Sequence, residues 1–589
     1  MKNKLLPLFA SLALTLSSCS LLWTFSFDHS LSETEEKTIP VYALYKMVED
    51  GAYDIAQYKT GEKKIHVSNE FVGMPFLSLS EYADLLSLGY LDGCSHRLSG
   101  SRQQSYVAMN QEETPVYQVV IDYSTGNLYH AGSLSTAMKT GADLSKSSIE
   151  VGSKTEYEVP EEGNGFEVAN VFDGQLPVYK GGNDYYLPLA VLDAQIGADA
   201  GLFHYYTPDA IYEYSSAADL SVNFALMGEE SCVYQGWKDY IDEHKELPLG
   251  IALGDYDSLN YTFNHLYGMM SQKYPGRSFA RFLEENGLRE DLLSTDIAKH
   301  LQSVISATGI LDDDHTGVTD FPFWWNDKSD EFTLYRGKNS ISRSATRKLL
   351  LEKKEAIYEA EGISSSDIRY SNDGKLAMVS FDSFSVSLDA FEADGKTLKE
   401  DIANEDTYYY LLDRLNTLSK NSSVDKVVLD LSTNGGGTIG IMFRMLALIS
   451  ESNLYQGYVW NSNSKMITKV ATQIDSNGDG IYDSSDTFGN RFDFYLLTSD
   501  ASFSCGNAFP YYAKKLGIAK TIGKTSGGGE CLVGSSALPS GIGLAHSSNN
   551  HMGWYKNKEF EGVEEGVTPD FALEYDEFYD LEAIEPKLK

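Results

Sequence analysis

The sequence predicts an α/β region, preceded by a small helical region and, before that, by a β-rich α+β region. Three observations carry this. From residue 375 onward, apolar strands alternate with turns and helical patterns: Lys375-Leu-Ala-Met-Val-Ser-Phe381, then Thr407 to Ser419, Lys426 to Leu431 and Ile439 to Ser452. Repeated strand–turn–helix units of this kind specify a largely parallel or mixed sheet with helices packed on it. Between residue 216 and about 310, apolar residues recur at helical spacing in Leu259 to Met270, Ser278 to Asn286 and Thr295 to Thr308. Before residue 216, short apolar runs alternate with Gly, Asn and Asp turns, which suits β-rich modules.

The chain has 589 residues, enough for two to four domains, and 42% hydrophobic residues, enough for sizeable cores. Asp and Glu number 85 against 47 Lys and Arg, a formal net charge of -38. Phosphate binding needs clustered basic charge, so nucleic acid is not expected as a partner. The acidity itself serves solubility. The 39 tyrosines and 27 phenylalanines fit β-rich, partly exposed surfaces.

In chain order, Met1-Lys-Asn-Lys4 and the apolar run Leu5 to Leu16 have signal-peptide form. The run is too short to span a bilayer. It ends in Leu16-Ser17-Ser18-Cys19, which resembles a bacterial lipoprotein signal. That resemblance implies cleavage before Cys19 and its lipidation, with the body of the chain held outside the cytoplasm on a membrane surface; a plain secretory signal is the other reading. Residues 20–215 hold a loose internal similarity: Met74 to Leu86 looks like Tyr185 to Gly197, each a strand followed by a helix, so two similar lobes are one reading and chance the other. Thr114 to Tyr123 and Gly126 to His130 read as a hairpin. Residues 216–320 form the helical part, whose His265 and His300 read as packing or surface residues. Residues 321–370 read as a linker or lid, with Trp324 and Trp325 in a loop and Ser344 to Gly362 as a charged helix. The α/β core takes residues 371–589.

Within that core, Phe494-Tyr-Leu-Leu497 reads as a buried strand leading into Thr498-Ser-Asp-Ala-Ser-Phe-Ser504-Cys505-Gly506-Asn507, and Ala508 to Leu516 reads as a helix with Pro510 in its first turn. A serine between strand and helix can face a cleft, where free N–H groups favour developing negative charge. It can equally be an N-cap. Val427 to Leu431 is an apolar strand that ends close before Gly435-Gly436-Gly437, and glycines there let backbone N–H groups approach a ligand. Leu311-Asp-Asp-Asp314-His315-Thr316 offers an imidazole, the usual base for a serine hydroxyl, among carboxylates that would equally suit a solvated surface.

Together these stretches resemble family S41 of serine peptidases, the tail-specific and tricorn-type proteases. The D-x-H-T-like segment is Asp313/Asp314-His315-Thr316. The D-L-R-x-N-x-G-G-like turn is Asp430 to Gly437, and the S-x-S-x-x-[EN]-like segment is Ser502 to Asn507. The G-x-x-T-x-G-like turn is Gly523 to Gly529, one residue short, and the G-V-x-P-D-like end is Gly566 to Asp570. The resemblance covers roughly residues 250 to 575. It implies a crotonase-like (ClpP-type) ββα core, Ser504 as nucleophile and His315 as base. The backbone N–H groups of Gly436 or Gly437, with that of Cys505, would form an oxyanion hole. Glu564, with Glu565 and Glu561 as alternates, would orient the imidazole. Tail-specific members carry a lysine in the fourth turn; here that position is Gly528, so a His base fits better, and Lys524 is the runner-up. The expected activity is that of a lipid-anchored serine endopeptidase acting on polypeptides, with no cofactor for catalysis. A non-catalytic lipoprotein binding ligands on the same fold is the rival reading, and an esterase a third.

Asp475, Asn477, Asp479, Asp483 and Asp486 place oxygens at loop positions 1, 3, 5, 9 and 12 with Gly480 at 6, the pattern of a structural Ca²⁺ loop without flanking EF-hand helices. An acidic turn is the alternative. Cys94, Cys232, Cys505 and Cys531 show no zinc spacing, and a Cys505–Cys531 disulfide is open.

Overall fold

The structure is a computed structural model that describes residues 29–44, 58–89, 93–98, 103–109, 115–132, 134, 147–148, 151–161, 163, 167–171, 174–214, 232–322, 337–392 and 397–588. The signal segment with Cys19, and Trp324 and Trp325, lie outside the described residues. The chain forms two compact units. One comprises residues up to 141, 164–336 and 533–548; the other comprises 142–163, 337–532 and 549–589.

In the first unit a seven-stranded sheet runs Tyr179–Gly181, Asp184–Pro188, Pro75–Ser78, Lys59–Val67, Glu35–Ala43, Ala210–Tyr214, Phe203–Thr207. The two similar stretches of the sequence are here: strand Pro75–Ser78 leads into helix Leu79–Leu88, and strand Asp184–Pro188 into helix Leu189–Gln195. Ser78 and Glu81 close a capping box at the first helix. The two strands pair antiparallel, Leu187 opposite Leu77, so the similar stretches are neighbours in one sheet and not separate lobes. Pairing satisfies backbone groups that each edge alone would leave open. The expected hairpin forms from Pro115–Asp122 and Asn127–Gly132, within a five-stranded antiparallel sheet.

The helical part contains Leu249–Tyr261, Phe279–Glu285 and Ile297–Ile310. Ser278 and Asp296 cap the latter two through their side chains. The first helix begins ten residues before the expected Leu259 because it is buried nearly all round, acids included, so no hydrophobic period marks it. Asp255 accepts from Ser540 N–H and pairs with His300 Nε2 at 2.9 Å, and Asp257 accepts from Gln175 and Leu176 N–H. His300 is thus a packing residue, as expected. His265 lies against Tyr261, the ring centroids 5.0 Å apart and the planes tilted by 35°.

The second unit is built on a six-stranded sheet ordered Arg369–Tyr370, Leu376–Ser380, Lys426–Asp430, Asp493–Thr498, Lys520–Gly523, Phe571–Ala572. All neighbours are parallel except the first pair. The central strands are apolar on both faces, as a sheet covered by helices on both sides requires. One face packs against helices Thr407–Ser419, Ile439–Leu448 and Cys505–Leu516. The other packs against Leu350 and the C-terminal Phe578, Leu581 and Ile584.

Two expectations are corrected. Residues 337–361 are not linker: helix Lys338–Glu361 buries Leu350, Lys354 and Tyr358, at i, i+4 and i+8, in the second unit. Its hydropathy conceals this because few of its side chains are buried and one is a lysine. Residues 142–163 fold with the second unit rather than the N-terminal region. Strand Ser153–Glu161 pairs antiparallel with Ile467–Ile474, and buried Arg444 donates to Ser148 O and Val151 O at 2.7 and 2.8 Å.

Candidate active site

In the second unit the parallel strands Lys426–Asp430 and Asp493–Thr498 lie side by side, Leu429 opposite Leu496, so their C-terminal ends deliver the glycine turn and the Ser504 segment together. Such ends are where open α/β sheets place their sites. The two turns are stitched by hydrogen bonds. Ser502 Oγ donates to Leu431 O at 2.7 Å, Ser499 Oγ to Ser432 O at 2.5 Å, and Phe503 N–H to Asn434 O at 3.0 Å.

Ser504 sits at the N-cap position of helix Cys505–Leu516, and no side-chain capping bond is formed. Its hydroxyl is therefore not spent as a cap. Its backbone is at φ 58, ψ -125, a conformation that costs a non-glycine residue roughly 1–3 kcal/mol and gathers at functional turns. The helix starts three residues earlier than expected, so Pro510 lies in its second turn and not its first. The proline has no N–H to give to the carbonyl of Gly506.

Gly436, at φ 110, stands against this serine: a Cβ there would lie 2.7 Å from Ser504 Cβ and 3.0 Å from its Oγ. The Gly436 N–H is already donated to Asn434 Oδ1 at 2.9 Å. Gly437, at φ 137, is held by Phe384, which donates to Gly436 O at 2.8 Å and accepts from Thr438 N–H at 2.7 Å. Among the described hydrogen bonds the N–H groups of Gly437 and Cys505 donate to no acceptor, and Cys505 is the first residue of its helix. Cys505 itself is buried, its Sγ donates to Gly437 O at 3.2 Å, and burial pushes its thiol up to about 12 despite that contact. It is an inert thiol at neutral pH. Cys531 is a buried thiol near His551 Nδ1 at 3.5 Å, so the two cysteines are not joined.

The fourth turn closes on the same serine. Ser504 N–H donates to Gly528 O at 3.0 Å and Gly527 N–H to Ser502 O at 2.8 Å. Glu564 accepts from the Gly529 and Glu530 N–H groups at 3.1 and 3.0 Å, which holds its carboxylate against that turn. Of its alternates, Glu565 is exposed and Glu561 pairs with Lys515 at 2.8 Å. One supporting residue was missed in the sequence. Glu530 is buried, bonds His551 Nδ1 at 2.7 Å and accepts from Glu564 N–H at 3.0 Å, so it supports Glu564. Asn507, the last residue of the Ser502–Asn507 segment, ties helix Cys505–Leu516 to Val563 O, to which it donates, and to the fourth turn through Ser526 Oγ, from which it accepts. Lys524 pairs with Glu574 at 2.7 Å and is partly exposed, unlike a lysine base, which must be neutral and desolvated.

His315 lies in the first unit, 8% exposed, in the turn five residues beyond the end of helix Ile297–Ile310. Asp313 shapes its turn, accepting from His315 N–H at 3.2 Å and from Thr316 Oγ at 2.8 Å. Burial raises the Asp313 carboxyl, but the charges of His315 and Lys273 and hydrogen bonds from Ser547 and Thr316 outweigh it and hold the group below the usual range. Asp313 is thus a carboxylate beside the imidazole within its own unit, a neighbour the bare sequence presented only as one of three consecutive acids.

In the acidic loop, Asp475 accepts N–H groups of Gly478, Asp479 and Gly480, and Asp486 those of Ser476, Asn477 and Asp483. Asn477 and Asp483 accept from Asp479 and Ser485 N–H. Among the described residues no three His, Cys, Asp or Glu side chains are gathered as a metal site.

Residues 375–573 match the model of peptidase family S41. No curated protein matches the chain. Solved structures that the chain matches include the photosystem II D1 C-terminal processing protease, at 17% identity over 36% of this chain and 45% of that one, TM-score 0.26. This chain thus spans less than half of that protease's length. Others are a lipoprotein from Streptococcus agalactiae, at 14% identity over 55% and 92%, TM-score 0.32, and mature CPAF complexed with lactacystin, at 11% over 57% and 97%, TM-score 0.35. Scores of this size add nothing to the family match.

Proposed function

We propose that this protein, whose residues 375–573 are a peptidase family S41 domain, is a secreted serine endopeptidase with Ser504 as nucleophile and His315 as base. The observation that carries the reading is the Ser504 turn: a strained, uncapped serine at a helix N-terminus, packed against a glycine turn. Ser504 Oγ attacks the substrate carbonyl carbon. His315 takes the hydroxyl proton and returns it to the leaving amine. The N–H groups of Gly437 and Cys505 receive the oxyanion, since that of Gly436 is engaged. Glu564 supplies the orienting carboxylate, with Asp313 as the competing candidate on its side of the chain. A crotonase-like arrangement of the core belongs to the same proposal, supported by the parallel strands with helices on both faces.

Hydrolysis of unfolded casein by the purified protein, and by its Ser504→Ala and His315→Ala variants, tests this. Loss of at least ~10³-fold in kcat/KM for each is expected, because triad members act as a unit. An active Ser504→Ala enzyme, or cleavage of esters but not peptides, overturns it.

Lipid anchoring at Cys19 outside the cytoplasm is proposed on the form of the leader alone; palmitate incorporation that survives Cys19→Ala would refute it. A structural calcium ion in loop 475–486 is likewise proposed on oxygen spacing, with the carboxylates' engagement by N–H groups as the opposing observation. Calorimetric titration with calcium chloride decides, and absence of heat at millimolar calcium ends that reading.

A further inference from the structure

Lys354 reaches from helix Lys338–Glu361 into the second unit and is 5% exposed. Its Nζ lies 2.8 Å from Asp430 Oδ2, 3.2 Å from Asp382 Oδ1 and 2.9 Å from Thr433 Oγ. Three ammonium protons thus meet three oxygens. The partners are themselves tied. Asp430 accepts from the N–H and hydroxyl of Ser432 and from Ser380 Oγ, and the Thr433 hydroxyl donates to Asp382. Tyr579 lies under the ammonium with its ring centroid at 5.5 Å and bonds Ser432 Oγ at 2.6 Å.

These partners sit on the two segments from which the glycine turn hangs. On one side, Asp382 O accepts the Gly435 N–H at 3.2 Å, Phe381 O accepts Asn434 Nδ2 at 3.1 Å, and Phe384 brackets Gly437. On the other, Asp430 to Thr433 run directly into Asn434, whose Oδ1 holds the Gly436 N–H. A buried ion pair is a poor source of stability compared with apolar packing, and its best-attested use is to fix one arrangement among several. Here the arrangement fixed is the spacing between residues 381–384 and 430–434.

We propose that Lys354 is a positioning residue: through Asp430, Asp382 and Thr433 it sets the turn in which Gly437 presents its N–H to the oxyanion. This rests on Ser504 being the nucleophile, and the test separates the two claims. The full-length protein, Lys354→Met, and the double variant Lys354→Met/Asp430→Asn are compared. The double variant leaves no unpaired charge in the buried pair, so it reports even where the single one fails to fold. Three quantities are read: the rate of fluorophosphonate labelling of Ser504, kcat and KM on a peptide, and hydrogen exchange of the amides of residues 434–437. The expected result for the double variant is labelling and kcat slowed ~100-fold, the scale of one lost oxyanion donor, with KM unchanged and the turn amides exchanging faster. Labelling and exchange at wild-type rates in the double variant would overturn the proposal and leave the pair a purely structural contact. An unlabelled wild-type protein would sink the nucleophile assignment instead, while exchange at residues 434–437 would still decide whether Lys354 holds the turn.

Discussion

Ser504 and Gly436 depend on each other. A methyl group on Gly436 would fall 2.7 Å from Ser504 Cβ, and φ 110 there is unfavourable for any L side chain. Gly436→Ala is predicted to cut kcat at least ~100-fold, as loss of oxyanion geometry does, while circular dichroism stays native. Wild-type turnover would show the glycine contact to be dispensable. Cys505 is the contrasting neighbour: Cys505→Ala is predicted to retain activity, because its thiol is buried and protonated, and iodoacetamide is predicted to spare the folded enzyme. The motif residues were legible at this scale because each chemistry needs a particular side chain: a hydroxyl, an imidazole, glycines. Glu530, Lys354 and Asp313 were not legible as support, because a buried acid or lysine has the same letter as a solvated one. Only the fold shows that Glu530 faces His551 or that Lys354 faces Asp430.

Strands and helices of the second unit's parallel sheet followed from apolar runs and their spacing: Leu376–Ser380, Thr407–Ser419 and Lys426–Asp430 lie where expected, and helix Ile439–Leu448 starts where expected but ends four residues before Ser452. What the local pattern could not give was pairing between distant segments. Strand Ser153–Glu161 joins Ile467–Ile474 through registers set some three hundred residues apart, and its own side chains are mostly exposed. Helix Lys338–Glu361 was legible as a helix but not as a core element. Its Leu350 is fully buried against Leu376, Met378 and Val428. Leu350→Ala is predicted to destabilise the second unit by about 2–5 kcal/mol, the usual cost of such a core truncation. Chemical denaturation read at that unit checks this, and a change under ~0.5 kcal/mol, typical of surface positions, would return the helix to the role of a linker.

For the molecule as a whole, acid should weaken the fold in two stages. Burial lowers His546 to about 4 against the opposing influence of Ser547 O and the Asp313 charge, so the imidazole is neutral when folded. Between pH ~6.5 and ~4 the unfolded chain takes up that proton and the folded one does not, so stability falls by up to ~3 kcal/mol as pH drops through this window. Asp313 and Asp430 are held below the usual carboxylate range, the first by His315 and Lys273 and the second by Lys354, each against its burial. Their contribution is present above pH ~4 and is lost as pH falls through their lower folded values. Unfolding midpoints measured from pH 7 to 3 should show both stages, and His546→Gln should flatten the first; a flat profile down to pH 4 in the native protein would contradict the neutral buried imidazole. The chemistry itself is tested most directly by mass-spectrometric mapping of a fluorophosphonate adduct on the full-length protein. The predicted result is one adduct, on Ser504, forming at least ~100-fold more slowly in His315→Ala, the scale of a lost general base, and at an unchanged rate in Lys524→Ala. An adduct on another residue, or a rate indifferent to His315→Ala, would contradict it.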